Sequence, residues 1–313
     1  MSDRIILQLK NLSKSYGEVI AVKDLNLDIF AGEIFGLLGP NGAGKTTTIN
    51  LVSGFLKPDR GEVLLGGKPV LGSGGDYRTR IGICPQENIH WKKLTSSEQL
   101  HFLGEMYGLK PALIRKRTSE LLESLDLTEV GNRLAGTLSG GMQRRLNIAL
   151  ALIHDPDILI FDEPEAGLDP RSRISIREYI RSLAREKTII LTTHNMDEAD
   201  RLADRLAIID HGELLTLNTP EALKGTVGEG DVLEITLINH FAGIGAEDLN
   251  FGNRVQTTLV DDQLHIRALD LPNLLPGILV RMEELGLTPG DIRLRKNTLE
   301  DVFIQLTGRR LLE

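Results

Sequence analysis

The chain has 313 residues, 41% hydrophobic and 26% charged, and carries 36 Lys+Arg against 44 Asp+Glu for a net charge of −8. At roughly 100–200 residues per domain this means two domains, or one large domain with an appendage, and the acidic balance argues against a chain built to coat nucleic acid. Its one cysteine, Cys84, excludes an internal disulfide and a cysteine-rich zinc site; no apolar run reaches the ~20 residues that span a bilayer, and no secretory signal opens the sequence.

In chain order, alternation places Ile5, Leu7 and Leu9 on one face of a strand, and Leu25, Leu27 and Ile29 repeat the pattern after a turn. Ile34-Phe35-Gly36-Leu37-Leu38 is a continuous apolar run, the mark of a strand buried on both faces. From Thr95 to Leu127 the spacing is helical. Two more buried-strand runs, Ile158 to Phe161 and Thr188 to Thr192, flank a charged helix from about Pro170 to Arg185. Apolar strands separated by helices predict a parallel α/β core, with an antiparallel layer from the N-terminal segment.

Charge and glycine mark a boundary near residue 225. Residues 1–224 hold 28 Lys+Arg and 30 Asp+Glu, a net of −2; residues 225–313 hold 8 and 14, a net of −6. Gly225-Thr226-Val227-Gly228-Glu229-Gly230 reads as a linker over 225–230. Beyond it, Val232 to Ile238 alternates, and Val255 to Val260 with Gln263 to Ala268 reads as a hairpin around Asp261-Asp262. A helix over Leu271 to Leu285, a strand at Ile292 to Arg295 and a helix over Leu299 to Leu306 follow. This is the rhythm of a small α+β domain, 231–313, and it shows no catalytic constellation.

The sharpest chemistry follows the buried run at Ile34. Gly39-Pro40-Asn41-Gly42-Ala43-Gly44-Lys45-Thr46 fits G-x-x-x-x-G-K-[ST] between a strand and a helical stretch, Thr47 to Val52. Glycines let successive backbone N–H groups curl around phosphate oxygens, and the following helix aims its N-terminal N–H groups and positive dipole end at the same anion. Lys45 is placed for the β- and γ-phosphates, and the Thr46 hydroxyl is a hard oxygen ligand for Mg²⁺. Such a loop predicts nucleotide binding without saying what hydrolysis drives.

Asp162 and Glu163 directly follow the strand run at Ile158. Ligands of open α/β sheets sit at the carboxyl ends of strands, so this pair is expected to face the phosphate loop. There Asp162 suits the Mg²⁺ shell and Glu163 the attacking water. The alternative, that the pair caps the next helix, is better served by Asp169-Pro170. His194 follows the next buried strand, where alone it reads as structural and only its place in the series points it to the same phosphate. Leu138-Ser139-Gly140-Gly141-Met142-Gln143 precedes a helix, with Ser139 as its N-cap. As physics alone this is a capped helix start or a second anion site, and two separated anion sites in one chain make sense when one subunit completes the other across a two-fold interface.

With these residues in hand the chain resembles the ATP-binding cassette ATPases, the nucleotide-binding subunits of transporters. Leu138 to Gln143 is similar to that family's signature motif, and the motifs span residues 5 to about 220 in the family's order. The resemblance implies a P-loop NTPase cassette over 1–224, with parallel sheet core, antiparallel β layer and helical subdomain. It implies that Tyr16 stacks on adenine, that Gly39 to Thr47 (Thr47 included) cradle phosphates, and that Gln86 senses Mg²⁺ and the γ-phosphate. It further implies that Thr46, Gln86 and Asp162 hold the metal, that Glu163 is the catalytic base and that His194 is the switch histidine. Ser139, Gly140, Gly141, Gln143 and Asp169 are then expected to meet ATP across a dimer.

Glu163-Pro164, Gly167-Leu168-Asp169-Pro170-Arg171 and the stretch from Thr298 to Gly308 narrow the resemblance to ATPase subunits of daunorubicin-resistance-type exporters, which also carry a small C-terminal domain. One departure stands out. Where relatives often have Thr or Ser, position 165 is Glu165, an extra carboxylate whose expected influence is on Glu163's proton affinity or on dimer contacts.

The resemblance implies an ATPase that works as a head-to-tail homodimer with ATP and Mg²⁺. Its motion is expected to pass to a separate transmembrane permease through the surface between Gln86 and about Leu109, placing the protein in the cytoplasm, peripheral on the cytoplasmic face of the membrane. The rival reading is a soluble cassette ATPase acting on ribosomes or nucleic acid. Such proteins usually carry two cassettes or long inserts, whereas here one cassette is seen and Ser139 follows Lys45 by only about 90 residues. Trp91 with Lys92 and Lys93 is too little for a nucleic-acid patch, so no nucleic acid partner is expected.

Overall fold

The computed structural model describes residues 4–71, 76–184, 186–228, 230–239, 255–260 and 262–308. Contacts divide the chain into two compact units, Met1–Pro220 and Glu221–Leu311. The first contains β1 (Ile5–Tyr16), β2 (Val19–Phe30), β3 (Ile34–Leu38), α1 (Lys45–Val52), β4 (Arg60–Leu65), β5 (Lys68–Pro69), β6 (Ile81–Cys84), α2 (Ser96–Met106), α3 (Pro111–Ser124) and α4 (Gly140–Leu152). β7 (Ile158–Asp162), α5 (Pro170–Leu183), β8 (Thr188–Thr193), α6 (Met196–Leu202), β9 (Arg205–Asp210) and β10 (Glu213–Asn218) follow.

Six strands form the central sheet in the order β10-β9-β3-β8-β7-β6, parallel throughout except for the antiparallel edge strand β10. The apolar runs predicted to be buried on both faces are so: every residue of β3, β7 and β8 is buried. Alternation along β7 sends Ile158 and Ile160 into one core with the β1–β2 layer, and Leu159 and Phe161 into the other, beneath α2 to α5. The expected antiparallel layer is a second sheet, β2-β1-β4-β5.

Register fixes what lies at the sheet's carboxyl edge. Cys84 of β6 lies beside Phe161 of β7, Asp162 of β7 beside Thr192 of β8, and Thr193 of β8 beside Leu38 of β3. The residues just past these pairs therefore leave from one edge: Gln86, Glu163, His194 and Gly39.

The second unit has its own sheet and core. α7 (Pro220–Thr226) leads to β11 (Asp231–Asn239), β12 (Gln256–Val260), β13 (Gln263–Ala268), α8 (Leu271–Glu284), β14 (Thr288–Arg295) and α9 (Leu299–Thr307). Its antiparallel sheet, β12-β13-β11-β14, packs Leu233, Ile235, Leu264 and Ile266 with Ile278 and Met282 of α8. α9 starts in a capping box of Thr298 and Asp301, and Arg295 bonds both oxygens of Asp301 at 2.6 and 2.8 Å.

Several boundaries differ from the sequence expectation. The helical spacing from Thr95 to Leu127 is two helices, because Gly108 turns left-handed (φ +72°) and Pro111 opens α3. Gly225 and Thr226, the start of the expected linker, are the last residues of α7. β14 begins at Thr288, four residues ahead of the expected Ile292. Arg185, Glu229, Asp261 and the residues after Gly308 lie outside the described residues.

The outright correction is at the first strand. Ile5 is 39% exposed while Ile6 is 5% exposed, and the β1–β2 register shifts between Ile5 and Leu7. A bulge there puts two successive residues out of strict alternation, so Ile6, not Ile5, joins Leu7 and Leu9 in the core. Ile6→Ala should therefore destabilise by about 2–5 kcal/mol, and Ile5→Ala by no more than about 0.5 kcal/mol. Urea melts of the two variants check this, and equal losses would contradict the burial pattern.

Candidate functional site

Gly39 and Gly44 show why the phosphate loop needs glycine. A Cβ on Gly39 would lie 2.3 Å from the Ile209 carbonyl oxygen, and one on Gly44 would lie 2.2 Å from that of Ala21, where φ is already +102°. The loop is thus wedged between β2 and β9, and no larger residue fits. α1 starts at Lys45 with Gly44 in the cap position and no side-chain cap, which leaves its first N–H groups for an anion. Asn41, Gly42 and Thr46 are exposed, Thr47 is half-buried, and Gly39, Pro40 and Ala43 are buried.

Lys45 is 6% exposed, and its Nζ donates to the carbonyls of Gly39 at 2.7 Å and Pro40 at 3.0 Å. Burial lowers its pKa, while the Glu163 and Asp162 carboxylates act the other way. An ammonium withdrawn from water and held by two carbonyls is a charge prepared for an anionic partner.

Glu163 is the hub of the strand-end cluster. Gln86 Nε2 donates to its Oε2 at 2.9 Å, and His194 Nδ1 lies 2.7 Å from its Oε1. A carboxylate only accepts, so Nδ1 carries the hydrogen of this contact. The backbone at Glu163 is left-handed (φ +46°), rare for a residue with a side chain. Its N–H is held by the Thr192 carbonyl at 3.0 Å. Asp162 accepts from the Thr192 hydroxyl. The structure therefore brings Gln86, Asp162, Glu163 and His194 together from the ends of three neighbouring strands, with Lys45 in their electrostatic field.

The remaining expected residues lie elsewhere. Tyr16 is 52% exposed at the end of β1, with Lys14 Nζ 6.0 Å from its ring centre. Ser139 caps α4, accepting from Met142 N at 3.3 Å. Asp169 caps α5, accepting from the Ser172 hydroxyl at 2.6 Å and from the Arg171 and Ser172 N–H groups at 3.1 Å, bonds that lower its pKa. Gly141 packs against that same Ser172: a Cβ on it would lie 2.5 Å from Ser172 Oγ, so the starts of α4 and α5 are neighbours. Gly140 is exposed and its ideal Cβ meets nothing within 4 Å. The Gln143 amide is taken up within the chain, donating to the carbonyls of Ala135 at 3.3 Å and Leu138 at 3.1 Å and accepting from Asn88 at 3.3 Å.

Two groups beside the site, Arg144 and Glu198, went unread in the sequence, and Glu165 was singled out there without its partner. Arg144 of α4 reaches the strand ends from beneath. Glu165 spends both oxygens on Arg177 of α5, at 2.7 and 2.6 Å, an i, i+12 pair that no local spacing rule reveals. Glu198 of α6 is 3% exposed and accepts from the Thr193 hydroxyl, one residue before His194.

Comparison with known proteins places this geometry. The ABC transporter family model matches residues 22–166. The chain is 37% identical to a linearmycin resistance ATP-binding protein of Bacillus subtilis, covering 98% of this chain and 99% of that protein. It is 40% identical to a Nod factor export ATP-binding protein of Sinorhizobium fredii over 98% of this chain and 87% of that one. A daunorubicin resistance ATP-binding protein of Streptomyces coeruleorubidus is 36% identical over 98% and 97%. Among solved structures, a part of an ABC transporter complex from Clostridium perfringens superposes with a TM-score of 0.66 at 29% identity, over 71% of this chain and 92% of that one. A dimeric ATP-binding cassette holding ADP and phosphate gives 0.63 at 30% identity, over 68% and 98%.

The chain belongs to the ATP-binding subunits of ABC transporters. It binds ATP and is an ATPase that serves transport; these relatives lend no support to the ribosome or nucleic-acid reading.

Glu198 gives the site's surroundings a pH signature. Burial pushes its carboxyl up to about 7 from an ordinary 4.5; the Thr193 hydroxyl pulls it down and the Glu165 charge adds to the rise. The folded protein thus keeps a proton that the unfolded chain has released. The associated stability is fully present below pH ~4.5 and is lost as pH rises towards 7, a change on the order of 3 kcal/mol. Glu198→Gln should raise stability at pH 8 and leave it unchanged near pH 4.5, read from urea melts of both proteins. An identical pH dependence in the two would contradict the assignment.

Proposed function

We propose that the chain powers export of a substrate through a separate membrane permease, acting as a head-to-tail homodimer on the cytoplasmic face of the membrane. The observation that carries the hydrolytic part is the convergence of Gln86 and His194 on the Glu163 carboxylate beside the phosphate loop. The export part rests on the relatives, whose names are those of drug-resistance and export proteins. Residues 1–224 act as the cassette, 225–230 as connection and 231–313 as an accessory domain; the two compact units support the division in two, with the break at Pro220–Glu221.

Each residue then has a task. Tyr16 stacks on adenine from its exposed position, and the N–H groups of the 39–47 loop take the phosphate oxygens. Lys45 exchanges its two loop carbonyls for the β- and γ-phosphates, which relieves the burial of its charge. Thr46, Asp162 and Gln86 would hold Mg²⁺: hydroxyl, carboxylate and amide carbonyl form a hard oxygen donor set that fits this ion, which when bound neutralises phosphate charge. Glu163 orients the attacking water and accepts its proton, and His194, held through Nδ1, offers its other ring nitrogen towards the γ-phosphate. Ser139, Gly140 and Gly141 at the start of α4, with Asp169 beside them, close on the nucleotide of the second copy. Gln143 takes part through the loop it holds together. Loss of the γ-phosphate removes the joint between the copies, so that ATP and ADP favour different states of the dimer. The surface that follows Gln86 to about Leu109, where Ile89, Trp91, Phe102 and Met106 are exposed, passes that motion to the permease.

Glu163→Gln should keep ATP binding and lose turnover by about 10²–10⁴-fold; repeated turnovers at the wild-type rate in a steady-state assay would remove Glu163 from the base position. Lys45→Ala should instead weaken ATP binding itself, measured by nucleotide titration. In a Glu163→Gln background, Ser139→Arg should abolish the ATP-dependent dimer on a sizing column, and a normal dimer peak would contradict the sandwich.

A further inference from the structure

α4 carries a buried charged side chain whose task none of the above supplies. Arg144 is 3% exposed, and among the described residues its side-chain hydrogen bonds go to peptide carbonyls and none to a carboxylate. Its Nη2 donates to the carbonyls of Asp162 at 3.0 Å and Glu163 at 3.1 Å, and its Nε to that of Pro164 at 3.1 Å. Its Nη1 donates to the carbonyls of Pro85 and Gln86, the latter at 3.2 Å. One guanidinium thus spans the turn after β7 and the turn after β6.

Burying a full charge without a counterion is expensive unless it is hydrogen-bonded on all sides. A role in stability alone is better served by an apolar residue, so what the arrangement yields is geometry. The guanidinium is a rigid plane whose donors point in fixed directions. Holding the carbonyls of 162, 163 and 164 fixes the peptide planes on both sides of Glu163, and with them the left-handed backbone that aims its carboxylate. Holding the carbonyls of 85 and 86 with the same plane fixes where Gln86 stands relative to that carboxylate. The two turns cannot drift apart while Arg144 is in place.

We propose that Arg144 is a positioning residue for ATP hydrolysis, setting the Glu163 carboxylate and the Gln86 amide in one frame. This rests on the reading of Glu163 as the group that activates water. The anchor belongs to α4 and lies five residues from Ser139, about 7.5 Å along the helix at 1.5 Å per residue. The helix expected to close on the second copy's ATP is therefore the helix that holds its own subunit's hydrolytic carboxylate, so closure on one nucleotide bears on hydrolysis at the other.

The test compares Arg144→Met, Arg144→Gln and Arg144→Lys with wild type in the full chain, using ATP affinity, kcat per bound ATP and the melting temperature. The phosphate loop is untouched, so ATP affinity should stay near wild type. In the Met and Gln variants kcat per bound nucleotide should fall about 10²-fold, the scale of a reacting group displaced by about 1 Å. Lys, which keeps the charge with three donors, should recover part of that loss. A purely structural role would lower the melting temperature and the fraction of protein that binds ATP, with kcat per bound ATP unchanged; that result, or wild-type kcat in a folded Met or Gln variant, overturns the proposal. If Met fails to fold, Gln decides by the same measure. Glu163→Gln run alongside separates the two ideas. Retained turnover there means that the water-activating reading has failed, whereas lost turnover there with full kcat in Arg144→Gln means that the positioning role has.

Discussion

Parallel pairing of β6, β7, β8 and β3 leaves their carboxyl ends no freedom to slide, because a slip of one residue would turn each strand's side chains to the opposite face. With every residue of β3, β7 and β8 buried, both faces enforce the register. The strand-end cluster and the phosphate loop are hung on that edge. Glu163, Gln86, His194 and the phosphate loop are each the first or second residue past a strand, and their mutual distances follow from which strands are neighbours. A ligand at this edge meets four chain segments far apart in sequence and held by one hydrogen-bonded ladder.

On that frame the site's polar groups are paired with one another. Lys45 is out of water and engaged with its own loop, and Glu163 sits in a left-handed backbone with both carboxylate oxygens occupied by Gln86 and His194. On the proposed function, an incoming polyphosphate alters these arrangements by offering the ammonium a stronger partner. Binding is then coupled, on the same proposal, to a rearrangement of the groups proposed to act on water, with Arg144 proposed to keep the backbone beneath them fixed while side chains exchange partners.

Much of this was legible in the sequence, for identifiable reasons. A short continuous apolar run such as Ile34 to Leu38 marks a strand buried on both faces, and the glycines and lysine after it have the spacing of a phosphate loop. What escaped was of two kinds. Ile5 and Ile6 are both apolar, so alternation alone could not say which faces the core; a bulge decided it. Glu165 with Arg177, Glu198 with Thr193, and Arg144 with five carbonyls are tertiary pairings, and a carbonyl leaves no mark in the sequence at all. Ser139 and Asp169 show the opposite limit: the cap role read from their positions is present, while the role implied by resemblance requires a second copy of the chain.

The central claim is that one ATP is gripped at the β3 edge, faced by Glu163, and closed over by the α4 start of a second copy. A crystal structure of the Glu163→Gln variant with ATP and Mg²⁺ tests it most directly. The account predicts two nucleotides in a two-fold dimer, each with its γ-phosphate on Lys45 and near residue 163 of one copy and on the Ser139 turn of the other. Nucleotide bound with Lys45 still on the Gly39 and Pro40 carbonyls, or a closed dimer whose Ser139 turns face solvent, would contradict it.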